Sequence, residues 1–469
     1  MALHGWSPET ALSAARPEVF WTDRPDAPVG AQRLSGQIAA DLVVVGGGFT
    51  GLWAAIHALT AAPGRRVVIV EAGAVGCGAS TRNGGMLDAS IAHGAENAHR
   101  HWPDELDSIV RLGDQNFADL QQCLIDHRID ADYRSVDWLD VATEEWQLED
   151  LAEGIPVLIG TGDNVRMLDA DETRARIDSP LYIGALLSEG YGGLVDPAKL
   201  VWGLTRLVLD LGGLIFEQSP VTDIDELDGR LRVATETGSV RADRVIVATN
   251  AYPSPVRASR RRIIPVYDHV LMTEPLSSEQ QASVGWSRWE GIDEAANQFH
   301  YTRRTADGRI LWGGYDATYH FNSSVDARHE QSTQTHGALA EQFFSTFPQL
   351  EGLNFTHRWG GPIGTTSRFT CAWGQRFNDR LAWVGGYTGL GVAASRFGAQ
   401  VALDLVDGVE TERTELKMVR SKPFPFPPEP LRSAVVGITK KSIQRADERQ
   451  GRENVWLKFL GRLGIGFDT

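Results

Sequence analysis

The chain of 469 residues carries a formal net charge of −16, which argues against nucleic acid or an anionic surface as its main partner. Its length exceeds what one hydrophobic core normally spans, so two domains are expected. With three cysteines and no predicted secretory signal or membrane-spanning segment, we predict a cytoplasmic protein without a disulfide framework.

The first predicted unit is a strand, a glycine-rich turn and a helix. Residues 42–45 form an apolar run that ends in Gly46-Gly47-Gly48-Phe49-Thr50-Gly51, the pattern G-x-G-x-x-G. Apolar residues then recur at helical spacing, and a second apolar run at 67–70 leads to Glu71. Such a unit holds a pyrophosphate at the helix N-terminus and a ribose on the acid. The pattern predicts dinucleotide binding; the alternative is a glycine-rich turn in an unrelated α/β core.

Residues 76–86, GCGASTRNGGM, are a second glycine-dense segment, named here the glycine ribbon. Small residues and polar donors follow one another without strand or helix periodicity. This pattern is typical of backbone that lies along a ligand.

The middle of the chain departs from this strand and helix pattern. Residues 98–128 are predicted to form one long amphipathic helix, followed by short mixed elements at 138–142, 169–177 and 185–188. We therefore expect a second domain inserted into the first. Asp196-Pro197 then predicts a helix start, with strands at 214–217, 221–227, 231–237 and 244–248 after that helix.

The rest of the chain predicts an antiparallel sheet and a return to the first domain. Strands at 266–273, 299–305 and 310–315 and a helix at 326–347 belong to the sheet, and residues 358–364 are expected to return. A last strand at 381–384 ends in the turn GGYTGLGV and a helix of small residues. Residues 421–431 predict a proline linker. The basic tail beyond is expected to pack on its own protein, with contact to a membrane surface as the alternative.

Four motifs together resemble the D-amino acid oxidase/glycine oxidase (DAO) superfamily of flavoproteins. They are the strand–GGGFTG–helix–Glu71 unit, GASTRNGG in the glycine ribbon, ATNAY at 248–252 and GGYTGLGV at 385–392. The branch that contains gamma-glutamylputrescine oxidase is the most similar, because GAS-x-RNGG marks it. The resemblance extends over nearly the whole chain and implies FAD as the cofactor.

The resemblance also implies which residues hold FAD. These are Gly46, Gly48, Phe49, Thr50 and Gly51 at the pyrophosphate; Glu71 and Ala72 at the ribose; Gly78, Ala79, Ser80, Thr81, Arg82, Asn83, Gly84 and Gly85 along the ribityl chain and ring; Val221, Ala248 and Thr249 at the adenine; and Gly386, Thr388, Gly389, Leu390, Gly391 and Val392 under the flavin. No motif matches the cysteine that tethers flavin in the sarcosine oxidase branch. Non-covalent FAD is therefore expected, and release of the yellow colour on acid precipitation would show it.

With this cofactor, the predicted fold is α/β: a Rossmann-like FAD-binding domain with an inserted substrate domain of mixed and antiparallel β-sheet (α+β). The FAD-binding domain is predicted to be discontinuous, at 38–90, 190–250 and 358–420. The substrate domain covers 91–189 and 251–357. Residues 1–37 are an N-terminal arm, and residues 421–469 are the proline linker and basic tail.

The implied reaction is oxidation of an amine by hydride transfer to flavin N5, with hydrolysis of the imine and reoxidation by O2 to H2O2. In the amino-acid oxidases of this family, an Arg before the proline of a G-x-R-P segment binds the substrate carboxylate. Here Gly361 occupies that position, and Ala393 stands where monomeric sarcosine oxidases have a carboxylate-binding Lys. Both departures predict a primary or secondary amine, such as a polyamine-like molecule, whose reacting carbon carries no carboxylate.

Candidate catalytic residues are His300, Tyr301 and Tyr252, with His300 as the candidate base toward a substrate ammonium. Candidate pocket residues are Tyr267, His269, Arg303, Trp359, Gly361 and Tyr387, although packing alone would explain each of them. No metal site is predicted, because no His, Cys and Asp cluster has metal-ligand spacing.

Three other functions stay open at this stage. A dehydrogenase would pass its electrons to a quinone or another carrier, and would not form stoichiometric peroxide. A flavin monooxygenase would consume NADPH. A non-catalytic flavin-binding scaffold would not be reduced by any amine.

Overall fold

The part of the chain that is described, residues 7–465 of a computed structural model, folds around two β-sheets. The outermost residues of the predicted arm (1–6) and tail (466–469) lie outside the described residues. The strands are β1 Gly36–Val45, β2 Val67–Val70, β3 Met86–Asp88, β4 Arg134–Ala142, β5 Val165–Leu168, β6 Gly184–Leu194, β7 Leu214–Phe216, β8 Val221–Leu227, β9 Arg230–Thr235, β10 Gly238–Val247, β11 Ile264–Thr273, β12 Glu290–Glu294, β13 His300–Arg304, β14 Ile310–Gly314, β15 Phe355–Thr365, β16 Ala372–Arg376 and β17 Leu381–Gly385. The α-helices are α1 Pro8–Ala11, α2 Phe49–Ala61, α3 Ala95–His101, α4 Leu106–Asp126, α5 Glu145–Gly160, α6 Ala170–Arg174, α7 Pro197–Asp210, α8 Arg257–Arg260, α9 Ser278–Val284, α10 Thr333–Thr346, α11 Ala394–Asp407, α12 Glu412–Glu415, α13 Lys417–Arg420, α14 Leu431–Asp447 and α15 Val455–Arg462.

The first sheet has the strand order β16-β17-β10-β1-β2-β7. Its strands run parallel from β17 to β7, β16 is antiparallel at one edge, and the β8–β9 hairpin joins β10. Side chains of α2, α7 and α11 pack on one face, and those of β8 and β9 pack on the other. The apolar runs of β1 and β2 are buried on both faces for this reason.

The second sheet has the order β15-β11-β14-β13-β12-β4-β6-β3, with β5 beside β6. All of its pairs are antiparallel except β12 with β4. One face packs on α10 through aromatic side chains such as Trp312 and Phe343. The other face looks toward the first sheet. This mixed α/β architecture with two sheets confirms the predicted fold class.

The predicted division into domains remains a prediction, but strand pairing differs from it at one boundary. Residues 358–364 lie in β15, which pairs with β11, and the chain re-enters the first sheet only at β16. The glycines here are positions of close packing in a strand: a Cβ at Gly360 would lie 2.8 Å from the His269 ring. This segment had been expected to lead the chain back into the first domain.

Three helices show how well local signals placed the elements. Asp196 caps α7 as predicted, with its Oδ1 accepting from Ala198 N at 3.0 Å and Lys199 N at 2.9 Å. The helix predicted at 98–128 is instead α3, a 3₁₀ turn and α4, because Pro103 starts a new turn. The helix predicted from residue 326 begins only at Thr333, after the cap Ser332.

The C-terminal tail folds back onto the protein, as expected. The Asp447 carboxylate accepts from the backbone N–H groups of Asn297 and Gln298, at 3.2 and 3.1 Å. Lys440 forms an ion pair with Asp316. Between residues 7 and 465 the structure contains no helix with both the length and the apolar character to cross a bilayer.

Candidate functional site

A large cavity lies between the two sheets. Its volume is about 1880 Å³, which exceeds the ~300–1,000 Å³ of a pocket for one small molecule. The parallel strands β1, β2 and β10 end at it, and the glycine ribbon, the second sheet and the tail supply other walls. Its size and its position at the carboxyl ends of parallel strands fit a dinucleotide together with a second, smaller ligand.

The first turn packs so closely that only glycine fits there. A Cβ atom at Gly51 would lie 1.9 Å from the carbonyl oxygen of Gly46, and one at Gly46 would lie 2.7 Å from that of Ala248. The backbone of Gly46 also lies in the left-handed region, with φ +107°. As a result, the N-terminus of α2, with Phe49 and Thr50, lines the cavity directly beside β1 and β10. A helix N-terminus in this position fits a pyrophosphate.

Glu71 follows β2 and also lines the cavity. Its Oε2 accepts from Gly47 N at 2.6 Å, and its Oε1 accepts from Gly73 N at 2.8 Å. Burial raises the pKa of this carboxyl, and the two backbone N–H groups act in the opposite direction. The carboxylate joins the first turn, through Gly47, to the segment that leads into the glycine ribbon, through Gly73. It can also accept a hydrogen bond from a ribose hydroxyl.

The glycine ribbon is held by its own side chains. Asn83 donates from Nδ2 to the carbonyls of Ala79 and Ser80, at 2.9 and 3.0 Å, and accepts from Gly85 N at 2.8 Å. Ser80 Oγ accepts from Phe49 N at 2.9 Å, which joins the ribbon to the start of α2. The ribbon is therefore fixed along the cavity wall without regular secondary structure over most of its length.

Arg82 leaves the ribbon for the second sheet. Its Nη1 donates to Glu330 Oε2 at 2.7 Å and to the Gly360 carbonyl at 2.9 Å. A Cβ at Gly361 would lie 2.8 Å from Arg82 Cδ. Arg82 therefore passes directly over Gly361, the position at which the family resemblance implies a carboxylate-binding arginine in amino-acid oxidases. The charge of Arg82 is already paired with Glu330.

The late turn, residues 385–392, also lines the cavity. Gly386 N donates to Asn250 Oδ1 at 2.8 Å, which joins the ends of β10 and β17. Tyr387 OH accepts from Thr50 Oγ1 at 2.9 Å, so the late turn also contacts α2. Gly389 has φ +97° and open space around its Cβ position.

Most of the residues predicted to hold FAD line this one cavity. They are Gly46, Gly48, Phe49, Thr50, Glu71, Ala72, Gly78, Ala79, Ser80, Arg82, Asn83, Gly84, Val221, Ala248, Thr249, Thr388, Gly389, Leu390, Gly391 and Val392. Gly51, Thr81, Gly85 and Gly386 do not line it but support the residues that do. Thr81, for example, donates from its hydroxyl at 2.8 Å to the carbonyl of Gly76, which lines the cavity.

Four of the predicted catalytic and pocket residues line the cavity: Tyr252, Tyr301, Gly361 and Tyr387. Tyr252 packs on the ribbon, where a Cβ at Gly78 would lie 2.8 Å from its ring. Tyr301 donates from its hydroxyl to Asp268 Oδ2 at 2.7 Å.

Five others do not line the cavity, and their proposed roles need correction. They are His300, Tyr267, His269, Arg303 and Trp359. Tyr267 OH bonds to the backbone of Asp326, and His269 Nε2 lies 3.1 Å from the His329 carbonyl. These side chains hold the second sheet to the segment that covers it.

His300 is the most consequential correction. Its Nδ1 lies 2.6 Å from Glu294 Oε2 and its Nε2 lies 3.0 Å from Gln342 Oε1, so both ring nitrogens are engaged. The ring is stacked on Trp312 at a centroid distance of 4.3 Å and is buried. A base for a substrate in the cavity must reach it, and His300 does not.

Arg303 and Trp359 instead support the glycine ribbon by donating hydrogen bonds to its backbone carbonyls. Arg303 Nη1 donates to the carbonyls of Gly84, Gly85 and Val195, at 3.2, 2.9 and 2.7 Å. Trp359 Nε1 donates to the Arg82 carbonyl at 2.9 Å. Both side chains are buried, so they position the wall of the cavity without facing a ligand.

Sequence reasoning missed the acidic character of the cavity. Among the described residues, nine carboxyl side chains line it but only four Lys or Arg side chains do. The acids are Glu71, Asp88, Glu96, Asp140, Asp150, Glu153, Asp268, Asp293 and Glu294. Asp268 shares one face of β11 with Val266 and Val270, because the three occupy every second position and the opposite-facing residues alternate with them; both valines also line the cavity. That alternation could have indicated Asp268 from the sequence.

Asp268 is the acid beside the Gly361 position. The two residues are direct partners in the β11–β15 pairing. Besides the bond from Tyr301, Asp268 Oδ1 accepts from His269 N at 2.8 Å. Burial raises the pKa of this carboxyl to about 6, although the Tyr301 bond acts to lower it. Over residues 7–465, no group of three or more His, Cys, Asp or Glu side chains is arranged to hold a metal ion.

Comparison with known proteins agrees with this geometry. Residues 41–405 match the family described as DAO, FAD dependent oxidoreductase. The chain is 31% identical over 402 residues to gamma-glutamylputrescine oxidoreductase of Escherichia coli (strain K12), which covers 84% of this chain and 89% of that protein. Its fold is similar to that of glycine oxidase from Geobacillus kaustophilus, with a TM-score of 0.66 and 22% identity over 80% of this chain and 96% of the other. It is also similar to L-proline dehydrogenase from P. horikoshii, with a TM-score of 0.65 and 16% identity over 80% and 95%.

Proposed function

Because this chain belongs to the DAO family of FAD-dependent oxidoreductases, we propose that it oxidises the C–N bond of a primary or secondary amine whose reacting carbon carries no carboxylate. FAD, when bound, would supply the acceptor for the hydride from that carbon, and O2 would be the oxidant that takes up the two electrons as H2O2. The resulting imine is hydrolysed by water to a carbonyl compound and a free amine or ammonia. The name of the relative that acts on gamma-glutamylputrescine agrees with an amine substrate.

One observation carries the choice of substrate: a partly buried carboxylate lies beside the position where a carboxylate-binding arginine would be needed. Asp268 is the strand partner of Gly361, and the nearby Arg82 is already ion-paired with Glu330. A substrate carboxylate at this place would meet a like charge in a site of low dielectric, which is unfavourable. A substrate ammonium would be attracted.

The chain's own residues divide the work as follows. The residues of the first turn, the ribbon and the late turn hold FAD without a covalent link. Cys371 is buried outside the cavity, and burial raises the pKa of its thiol, so it is a poor nucleophile. Asp268 accepts the proton of the substrate ammonium, because hydride transfer requires the neutral amine. Tyr301 holds the Asp268 carboxylate in position.

An anaerobic panel of amines tests the function. Purified holoenzyme is mixed with alkylamines, glycine, sarcosine or D-alanine, and loss of the visible flavin band is followed. We expect reduction by alkylamines at least ~100-fold faster than by the amino acids, since a misplaced like charge costs several kcal/mol. Efficient reduction by glycine, sarcosine or D-alanine would contradict the proposal. Stoichiometric peroxide in air separates an oxidase from a dehydrogenase.

The role of Asp268 predicts a pH dependence. Its carboxylate form accepts the proton, so the rate of anaerobic flavin reduction should rise with pH through about 6, the pKa of Asp268. Asp268→Asn should remove this rise and lower the rate at pH 7 by ~10²–10⁴-fold. In Tyr301→Phe the bond that lowers the pKa is absent, so the rise should move to higher pH. An unchanged profile in Asp268→Asn would rule out this residue as the base.

A further inference from the structure

Two carboxylates stand side by side on the cavity face of the second sheet. Asp140 on β4 and Asp293 on β12 are direct partners in the parallel pairing of these strands, so their side chains project from the same face. Both line the cavity. Tyr301 continues the same row, because it is the partner of Asp293 on β13.

The pair lacks the partners that carboxylates inside a protein cavity normally have, although both residues are partly buried. Asp293 Oδ2 accepts one bond, from Trp138 Nε1 at 3.0 Å. Within residues 7–465, the Asp140 carboxylate has no hydrogen-bond donor and no ion pair, although burial is the main influence on it. Both side chains are partly buried, and a carboxylate that is partly withdrawn from water without a partner is unfavourable, so a ligand group that supplies one would bind favourably.

The surroundings of the pair are acidic. The charged groups that act on Asp293 are Asp140, Asp88 and Glu294, and Glu96 acts on Asp140. Burial and this repulsion raise the pKa of Asp140 to about 7 and that of Asp293 well above its ordinary value. None of these neighbours can compensate the pair, because all are acids.

Aromatic rings complete the surroundings. Trp138 precedes Asp140 by two positions on β4 and therefore faces the same side. Its ring meets that of Tyr191 edge-on at a centroid distance of 6.2 Å, and both rings line the cavity. Carboxylates with aromatic faces are the combination that recognises organic ammonium groups. If the two acids only shared a proton with each other, the neighbouring aromatic rings would have no role.

We propose that Asp140 and Asp293 bind a second cationic nitrogen of the substrate, at the end remote from the amine that is oxidised. The substrate class is then a diamine or polyamine. Although the assignment of the oxidised end rests on the function proposed above, the cation site can be tested separately from turnover.

The experiment compares paired amines that differ in one charge. Holoenzyme is titrated anaerobically with α,ω-diaminoalkanes and with n-alkylamines of the same carbon number, and both flavin reduction and the melting temperature are measured. We expect wild type to prefer the diamine by at least tenfold in apparent Kd. Asp140→Asn should reduce this preference at least tenfold. The control is Asp137→Asn, the same change on β4 at a residue that lies outside the cavity lining and pairs with Arg176; it should keep the wild-type preference.

The outcomes separate the two proposals. If both amine types reduce the flavin equally well, or if Asp140→Asn and Asp137→Asn behave alike, the cation site is wrong and amine oxidation stands. If no amine reduces the flavin but diamines still raise the melting temperature of wild type and not of Asp140→Asn, the cation site stands and the oxidation is wrong. If diamines neither reduce the flavin nor raise the melting temperature, both proposals are wrong.

Discussion

Gly51→Ala should yield a protein that does not bind FAD. The added Cβ would lie 1.9 Å from the carbonyl oxygen of Gly46 and 3.0 Å from its carbonyl carbon, both backbone atoms of the turn itself. Neither atom can move aside as a flexible side chain could. α2 must therefore shift away from β1, and the pyrophosphate loses its N–H donors. Overpacking of this kind costs ~1–3 kcal/mol or more of unfolding free energy.

The measurement is the ratio of visible flavin absorbance to protein absorbance after purification, together with the melting temperature. Gly437→Ala is the matched control, because Gly437 lies in α14, is exposed and has no atom within 4 Å of its Cβ position. Alanine there should be neutral or stabilise the helix by up to ~1 kcal/mol. A yellow Gly51→Ala protein with an unchanged melting temperature would contradict the packing described for the turn.

The cofactor half of the protein could be predicted because its signals are local. Strand, glycine turn, helix and acid follow one another within residues 42–71, and each makes its contacts with the next. The steric reason for Gly51 lies in this same short unit, whereas that for Gly46 is the carbonyl of the distant Ala248. The family and its cofactor FAD, which four short motifs indicated, are confirmed by the match over residues 41–405.

The substrate half could not be predicted in the same way, because it depends on pairing between distant strands. Asp140 and Asp293 become neighbours only when β4 pairs with β12. No pattern near either residue indicates the other. The tail helices α14 and α15 also line the cavity, through residues such as Val435 and Leu460. The composition of the tail predicts an amphipathic helix but not the surface that it covers.

Some of the errors could have been avoided from strand geometry alone. Neighbouring residues in a strand face opposite sides, so His300 and Tyr301 cannot both reach one cavity. The structure places Tyr301 on the cavity side and His300 behind it. The same alternation separates Asp268 from Tyr267 and His269. Candidate site residues on one strand should therefore be chosen at every second position, so that all of them face the same side.

Arg303→Met should destabilise the protein and loosen FAD together. Arg303 is buried and donates through Nη1 to the carbonyls of Gly84, Gly85 and Val195. Burial lowers the pKa of its guanidinium to about 10, so the charge remains at neutral pH. Methionine fills similar space but leaves the buried Gly84 and Val195 carbonyls without a donor, at ~1–3 kcal/mol each, while the Gly85 carbonyl still accepts from Val195 N at 2.8 Å. We expect a loss of ~3–5 kcal/mol in unfolding free energy and at least tenfold weaker FAD binding, because the ribbon wall is no longer fixed.

Unfolding by denaturant and FAD titration of the apoprotein measure the two effects. Arg304→Met is the matched control, since Arg304 is the next residue on β13, lies on the opposite side and is only partly buried; it should change FAD binding little. Arg303→Lys keeps a charge but not the planar geometry of the guanidinium, so it should fall between methionine and wild type. If Arg303→Met instead had normal stability and flavin content but a raised KM for the amine, the result would support the original prediction that Arg303 contacts the substrate. The Gly84 and Val195 carbonyls make that outcome incompatible with this fold, because they would then be buried without a donor at no cost.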